Sequence, residues 1–401
     1  MASQPPRPTL PPRSARTLVS LADALAHSGS RLEDQYWERL LGIRLEKLLA
    51  GKANRSVEAA LEYLMEANPA TYEVLVEQAE NHSESALITY RGESYDALLF
   101  SAPILAWTRY KLPDGELSAD QVEALAAHLS EHIGSAGARL AILPRLVNFE
   151  QLPQSFHDTR SWTQYLAARA LMGKPESFAL ATPSPQDGLL ADVLFLIGAV
   201  VAPQGQALFR WQDNEGGNAA AHENSGLRWA EACTQSLEAM FTGCQVEFLA
   251  PGAYYTSTRA ADQRIRPLSL RAAVTWLQTA GHIQGNGLRA AIVACGEQHI
   301  EEYRIGFCTR ESNEVIYGCI WPALSREEAS PELSSEGSID TWDDIAALLR
   351  ELGIQDIRRL PGMLPMEFCE DCGTPYFPNM LGEMQHPELP EEIDPEPMHF
   401  H

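Results

Sequence analysis

Tyr95-Asp96-Ala97-Leu98-Leu99-Phe100-Ser101-Ala102-Pro103-Ile104-Leu105 is the stretch that decides the fold. It is apolar at nearly every position, so both alternating faces of an extended chain are apolar, which predicts a central strand buried on both sides. Just upstream, Ala86 to Tyr90 is also extended, and Arg91-Gly92 leaves room only for a tight turn. Only antiparallel neighbours can be joined that way. The main domain therefore opens on a hairpin, and the fold class is α+β with mixed, largely antiparallel sheets, not a doubly wound parallel sheet.

On the N-terminal side the period is helical. Residues 1–13 form a Pro/Arg-rich tail without an apolar h-region, read as disordered, and residues 14–84 form a helical subdomain. Ser30 with Glu33 spells a capping box, after which Leu32, Tyr36, Leu40, Leu41, Leu45, Leu48 and Leu49 recur at helical spacing as far as Gly51. A second helix is expected from Ser56 to Met65. Pro69 opens a third, turning Tyr72, Leu75 and Val76 towards the core.

On the C-terminal side, Ser118 with Gln121 caps a helix whose stripe is Val122, Leu125, Leu129 and Ile133, and a strand from Arg139 to Val147 follows. Leu189 to Ala202 is too short to span a hydrocarbon core and contains Asp192, so it reads as a buried strand. The order strand, strand, helix, strand then recurs. Asp96 to Phe100 matches Asp192 to Leu196, Ala106 to Tyr110 matches Ala207 to Trp211, Leu143-Pro144 matches Ala250-Pro251, and Trp162 matches Trp276. This divides the main body into units at 85–175 and 176–284, the second a candidate duplicate of the first, and a shorter third at 285–362. Residues 363–401 hold a Cys-x-x-Cys knuckle and, from Met380 onward, an acidic, proline-rich tail that reads as extended over the surface or disordered.

Composition narrows the function. A 401-residue chain with 45% hydrophobic residues supports several cores, and a formal charge of −24 repels phosphate backbones, which argues against nucleic acid. No segment has the length and apolarity of a membrane helix. Cys233, Cys244, Cys295, Cys308 and Cys319 sit at no ligand spacing and read as small hydrophobes, which fits a reducing, cytoplasmic location.

The remaining two cysteines carry the chemistry. Cys369-Glu370-Asp371-Cys372-Gly373 is a knuckle in which two thiolates converge while the glycine lets the backbone turn. Zinc takes four ligands, and the downstream donors are His386, His399 and His401. His386 with one terminal histidine closes the shell, and so does a homodimer sharing two knuckles. A metal-free turn and a redox pair are the other readings. Against the redox pair, Pro375 and Pro378 forbid a helix after the motif, and Glu370 and Asp371 raise the thiol pKa. Separately, His128-Leu129-Ser130-Glu131-His132 has the spelling of an inverted zincin motif, with two histidines one turn apart and a glutamate to activate water. The same residues are also ordinary for the last turn of a helix, where the dipole favours histidine.

Three strings, Ser30-Arg31-Leu32-Glu33-Asp34, Tyr95 to Leu99 with Ala102 to Trp107, and Pro365-Met366-Glu367-x-Cys369-Glu370-Asp371-Cys372-Gly373, together resemble the bacterial domain-of-unknown-function family 2863 over nearly the whole chain. The resemblance implies a cytosolic bacterial protein of this size and transfers no catalytic residues. The expected function is a non-catalytic interaction or regulatory scaffold with an unidentified protein partner and a structural zinc knuckle. The alternative is a metal-dependent hydrolase using His128, Glu131 and His132.

Overall fold

The computed structural model describes residues 12–389 apart from 52–54, 109–111, 114, 174–190, 214–218, 280, 298 and 330–339. Four helices come first: α1 (Arg13–Ala26), α2 (Arg31–Leu49), α3 (Ser56–Ala67) and α4 (Pro69–Glu84). Ser30 caps α2, its hydroxyl accepting from the Glu33 amide at 3.3 Å, and the Asn68 side chain caps α4 by accepting from Thr71 at 3.3 Å, with Pro69 in the first turn. Leu18, Leu41, Leu45, Leu64 and Leu75 close the core between these helices. Leu32 and Tyr36 recur at the same spacing but lie on the solvent face of α2, whose buried residues begin at Leu41.

The predicted hairpin is β1 (Ser85–Tyr90) and β2 (Glu93–Trp107), joined by Arg91 and Gly92, both at positive φ, as a two-residue turn of this twist requires. There follow α5 (Ala119–His132), β3 (Arg139–Ile142), α6 (Phe156–Met172), β4 (Ala191–Pro203), α7 (Ala219–Leu237), β5 (Gln245–Phe248), β6 (Gly252–Ala253) and α8 (Tyr254–Thr279). β2 runs antiparallel to β4 from Tyr95↔Pro203 to Trp107↔Ala191; its other edge carries β1, β6 and β5, and β3 extends the sheet beyond β4. Both faces are covered. Leu99, Leu105, Val193 and Phe195 pack under α6 and α8, whereas Phe100, Ile104, Leu194 and Leu196 pack under α5 and α7. That is why the central strand reads as apolar at consecutive positions.

The strands of 85–175 and 176–284 thus share one sheet. Within it the order strand, helix, strand, helix occurs twice, as β2-α5-β3-α6 and β4-α7-β5-α8, with Asp96 opposite Ala202 and Asp192 opposite Ala106. The Leu143 amide donates to Ile197 and the Leu249 amide to Pro103, both at 2.9 Å. Two of the sequence anchors do not correspond. Ala207 to Trp211 leads into a short 3-10 turn instead of a second strand, so the hairpin belongs to the first unit alone, and Trp276 packs against the second sheet.

That second sheet contains β7 (Leu288–Cys295), β8 (Glu302–Thr309) and β9 (Tyr317–Pro322), then α9 (Arg326–Ala329), α10 (Thr341–Glu351) and β10 (Asp356–Leu364), in the order β10-β7-β8-β9 with β10 parallel to β7. α8 joins the two cores: Tyr254 and Ala261 lie in the first, Leu270, Val274 and Leu277 in the second. The opposite face is covered by β11 (Phe377–Pro378) and β12 (Met384–Gln385). Phe377 and Met380 are buried there against Val293, Cys308 and Leu360. Residues 380–389 run over the surface of this sheet, held by β12 and by the Glu388 amide on the Val315 carbonyl. Among the described residues, no helix is long and apolar enough to cross a membrane.

Glu84, the last residue of α4, ties the helical subdomain to the start of α8. It is 7% exposed, and its carboxylate accepts from the Tyr255 amide at 2.9 Å. Burial pushes the carboxyl up to about 7, against the pull of that amide. A raised acid pKa means that the folded state holds the proton more tightly than the unfolded one. The associated stability is complete below the ordinary value of 4.5 and is lost as pH rises to about 7. Glu84→Gln is expected to gain on wild type by on the order of 3 kcal/mol across that window. Urea midpoints measured against pH check this, and parallel curves would refute it.

Candidate metal centre

The knuckle is a short reversal built by backbone bonds. Phe368 bridges to Pro375, the Cys369 amide donates to Thr374 at 2.8 Å, and the Gly373 amide donates to Cys369 at 2.9 Å. Gly373 sits at φ +74°, where a side chain is strained. Beneath the knuckle, Arg304 of β8 is fully buried. Its Nη1 donates to the carbonyls of Glu367 at 2.6 Å and Tyr376 at 2.8 Å, one on each leg, while Nε pairs with Glu302 at 2.6 Å. The guanidinium also lies 5.0 Å from the centre of the Phe368 ring.

His386 arrives from the other side. β11 lies close on β8 and β9 because Gly306 and Gly318 have no side chains: a Cβ on Gly306 would overlap the Pro378 carbonyl, and one on Gly318 would overlap the Phe377 ring. Asn379 then turns the chain, its Oδ1 accepting from the amides of Leu381, Gly382 and Glu383 at 2.8 to 3.0 Å. β12 returns against β11, and the Glu388 amide donates to Val315 at 2.8 Å. The placement of His386 thus rests on packing and backbone bonds.

The result is a convergence of donors. Ligand atoms of Cys369, Cys372 and His386 lie within 4.8 Å of one another, so the three can hold a metal ion. Cys372 Sγ is 3.2 Å from His386 Nε2. A tetrahedral ion with ordinary Zn–S and Zn–N bonds sets such atoms about 3.5 Å apart, so the spacing fits. His386 Nδ1 is buried and finds no hydrogen-bond partner among the described residues. The Thr374 hydroxyl and amide pull the Cys372 thiol below its ordinary range, while the charge of Asp371 pushes the other way, as expected of an acid beside a thiol. An open groove of about 570 Å³ adjoins the knuckle, lined by Glu367, Phe368, Cys369, Glu370, Asp371 and Tyr376.

A family model described as "Protein of unknown function (DUF2863)" matches residues 3–400. The chain belongs to this family. No curated protein and no solved structure matches it.

In this DUF2863 chain the other sequence-derived positions fall as follows. His399 and His401 lie outside the described residues. His128, Glu131 and His132 come together as a second group whose ligand atoms are within 4.8 Å. The two imidazoles lie nearly parallel, 6.2 Å apart, on the last turn of α5, and Glu131 is exposed. Burial pushes up the thiols of Cys233, Cys244, Cys295, Cys308 and Cys319, as small hydrophobes in a core require. The sequence reading missed Arg304, Gly306 and Thr374. A cation alternating with Tyr303, Ile305 and Phe307 in a strand was the available signal, because an unpaired charge does not stay buried.

Proposed function

We propose that this is a non-catalytic interaction or regulatory protein of the cytoplasm, in which a structural zinc ion clasps the knuckle to the C-terminal hairpin. The 3.2 Å approach of Cys372 to His386, fourteen residues further along the chain, carries the proposal. Thiolate and imidazole donors suit zinc, which needs no redox partner and accepts a tetrahedral shell. The fourth position falls to His399 or His401, or to a second chain. We read the two strand-helix-strand-helix runs of the first sheet as an internal duplication that supplies a rigid platform for a protein partner. Nucleic acid is left out because the chain carries −24.

Metal analysis tests this against the hydrolase reading of His128, Glu131 and His132. Wild type is expected to hold about one zinc per site, Cys369→Ala/Cys372→Ala none, and His128→Ala/His132→Ala as much as wild type. His386→Ala should weaken binding by more than about tenfold. Metal that disappears only with the histidine pair would transfer the site to α5. Metal-free wild type, purified without chelator and resistant to zinc loading, would remove the clasp.

A further inference from the structure

α2 carries two apolar stripes. The inner one, Leu41, Leu45, Leu48 and Leu49, is buried in the four-helix core. The outer one is Leu32, Tyr36 and Ile43, exposed by 78%, 50% and 56%, with Leu40 beside them. At 3.6 residues per turn these positions share one face over three turns, and single exposed hydrophobics elsewhere on a surface do not form such a line.

The charges flanking the outer stripe indicate what covers it. Glu33 and Lys47 lie on one flank, at opposite ends of the helix; Arg31 and Glu46 lie on the other, with the signs reversed, and all four residues are exposed. We infer that the outer face of α2 docks on the same face of a second copy of this chain, with the two helices antiparallel about a two-fold axis near Arg39 and Leu40. In that arrangement Glu33 meets Lys47 of the second copy and Arg31 meets Glu46, each pair occurring twice, while Tyr36 packs against Ile43. A parallel arrangement also pairs opposite charges, Glu33 with Arg31 and Lys47 with Glu46, but it aligns the helix dipoles unfavourably and sets Tyr36 against Tyr36 instead of Ile43. Arg39, which would face itself at the axis, is drawn aside over the Tyr36 ring at 5.7 Å. His82 of α4 approaches Glu46 at 3.9 Å, and Glu46 is nonetheless exposed on the flank of the outer stripe. One helix pair buries on the order of 1,000 Å², at the small end for a specific interface, so the dimer forms in a concentration-dependent way.

Sedimentation velocity on the full chain over a range of concentrations tests this. Wild type is expected to dimerise with rising concentration. Ile43→Glu should weaken the dimer by at least about tenfold without changing the melting temperature, since the side chain is outside the core. Glu33→Lys and Lys47→Glu should each weaken it, and the double variant should restore it. A wild type that stays monomeric at all concentrations overturns the inference, as does a dimer indifferent to Ile43→Glu. Single charge variants that behave as wild type, or a double variant that is not rescued, overturn the antiparallel arrangement. Melting curves that fall with Ile43→Glu would place Ile43 in the core instead.

Discussion

Arg304→Met is expected to cost about 3–5 kcal/mol of folding stability and to take metal binding with it. The cation is completely buried, and it satisfies the Glu302 carboxylate and the carbonyls of Glu367 and Tyr376 at once. Methionine fills much of the volume but supplies no donor, which leaves a largely buried carboxylate unpaired and two carbonyls short of partners. The two carbonyls flank the knuckle, so losing the clamp lets its legs separate and the thiols diverge. Arg304→Lys should be intermediate, because an ammonium cannot hold the three acceptors in the fixed fork of a guanidinium. Urea unfolding with zinc content measured on the same samples provides the check. A methionine variant that unfolds at the wild-type midpoint would show that the clamp contributes nothing.

Gly306→Ala is expected to weaken metal binding by about 10–100-fold and to destabilise the fold by about 1–3 kcal/mol. The added Cβ meets the Pro378 carbonyl, which is backbone and cannot rotate away, so β11 must lift from β8. His386 is eight residues further on in the same hairpin and moves with it. Gly137→Ala is the control, because its Cβ would make only ordinary contact, 3.6 Å from Gln206. Competition titrations with a zinc indicator measure the affinity. Equal affinity for Gly306→Ala and Gly137→Ala would mean that β11 does not position the histidine.

Much of this architecture was legible in the chain. The hairpin at Arg91-Gly92, the caps at Ser30 and Ser118, and the two-sided strands β2 and β4 are set by turn geometry, local hydrogen bonds and local apolar runs, and all stand where their residues place them. Other features were not. The apolar residues of α2 recur at helical spacing whichever neighbour they meet, so periodicity could not separate the buried Leu41 and Leu45 from the exposed Leu32 and Tyr36. The tail from Met380 is acidic and rich in proline, yet 380–389 are held by Asn379, by Val315 and by the space over Gly306, contacts made across distant parts of the chain.

The knuckle shows the same division. By itself the sequence determined that Cys369 and Cys372 converge, because two thiols three residues apart with Gly373 after them are brought together by one local turn. Only the tertiary structure decided that His386 faces them. It also decided that Arg304 supports the turn from below. Each of these depends on β8 lying beneath a hairpin about seventy residues further along the chain, and composition and spacing do not encode that separation.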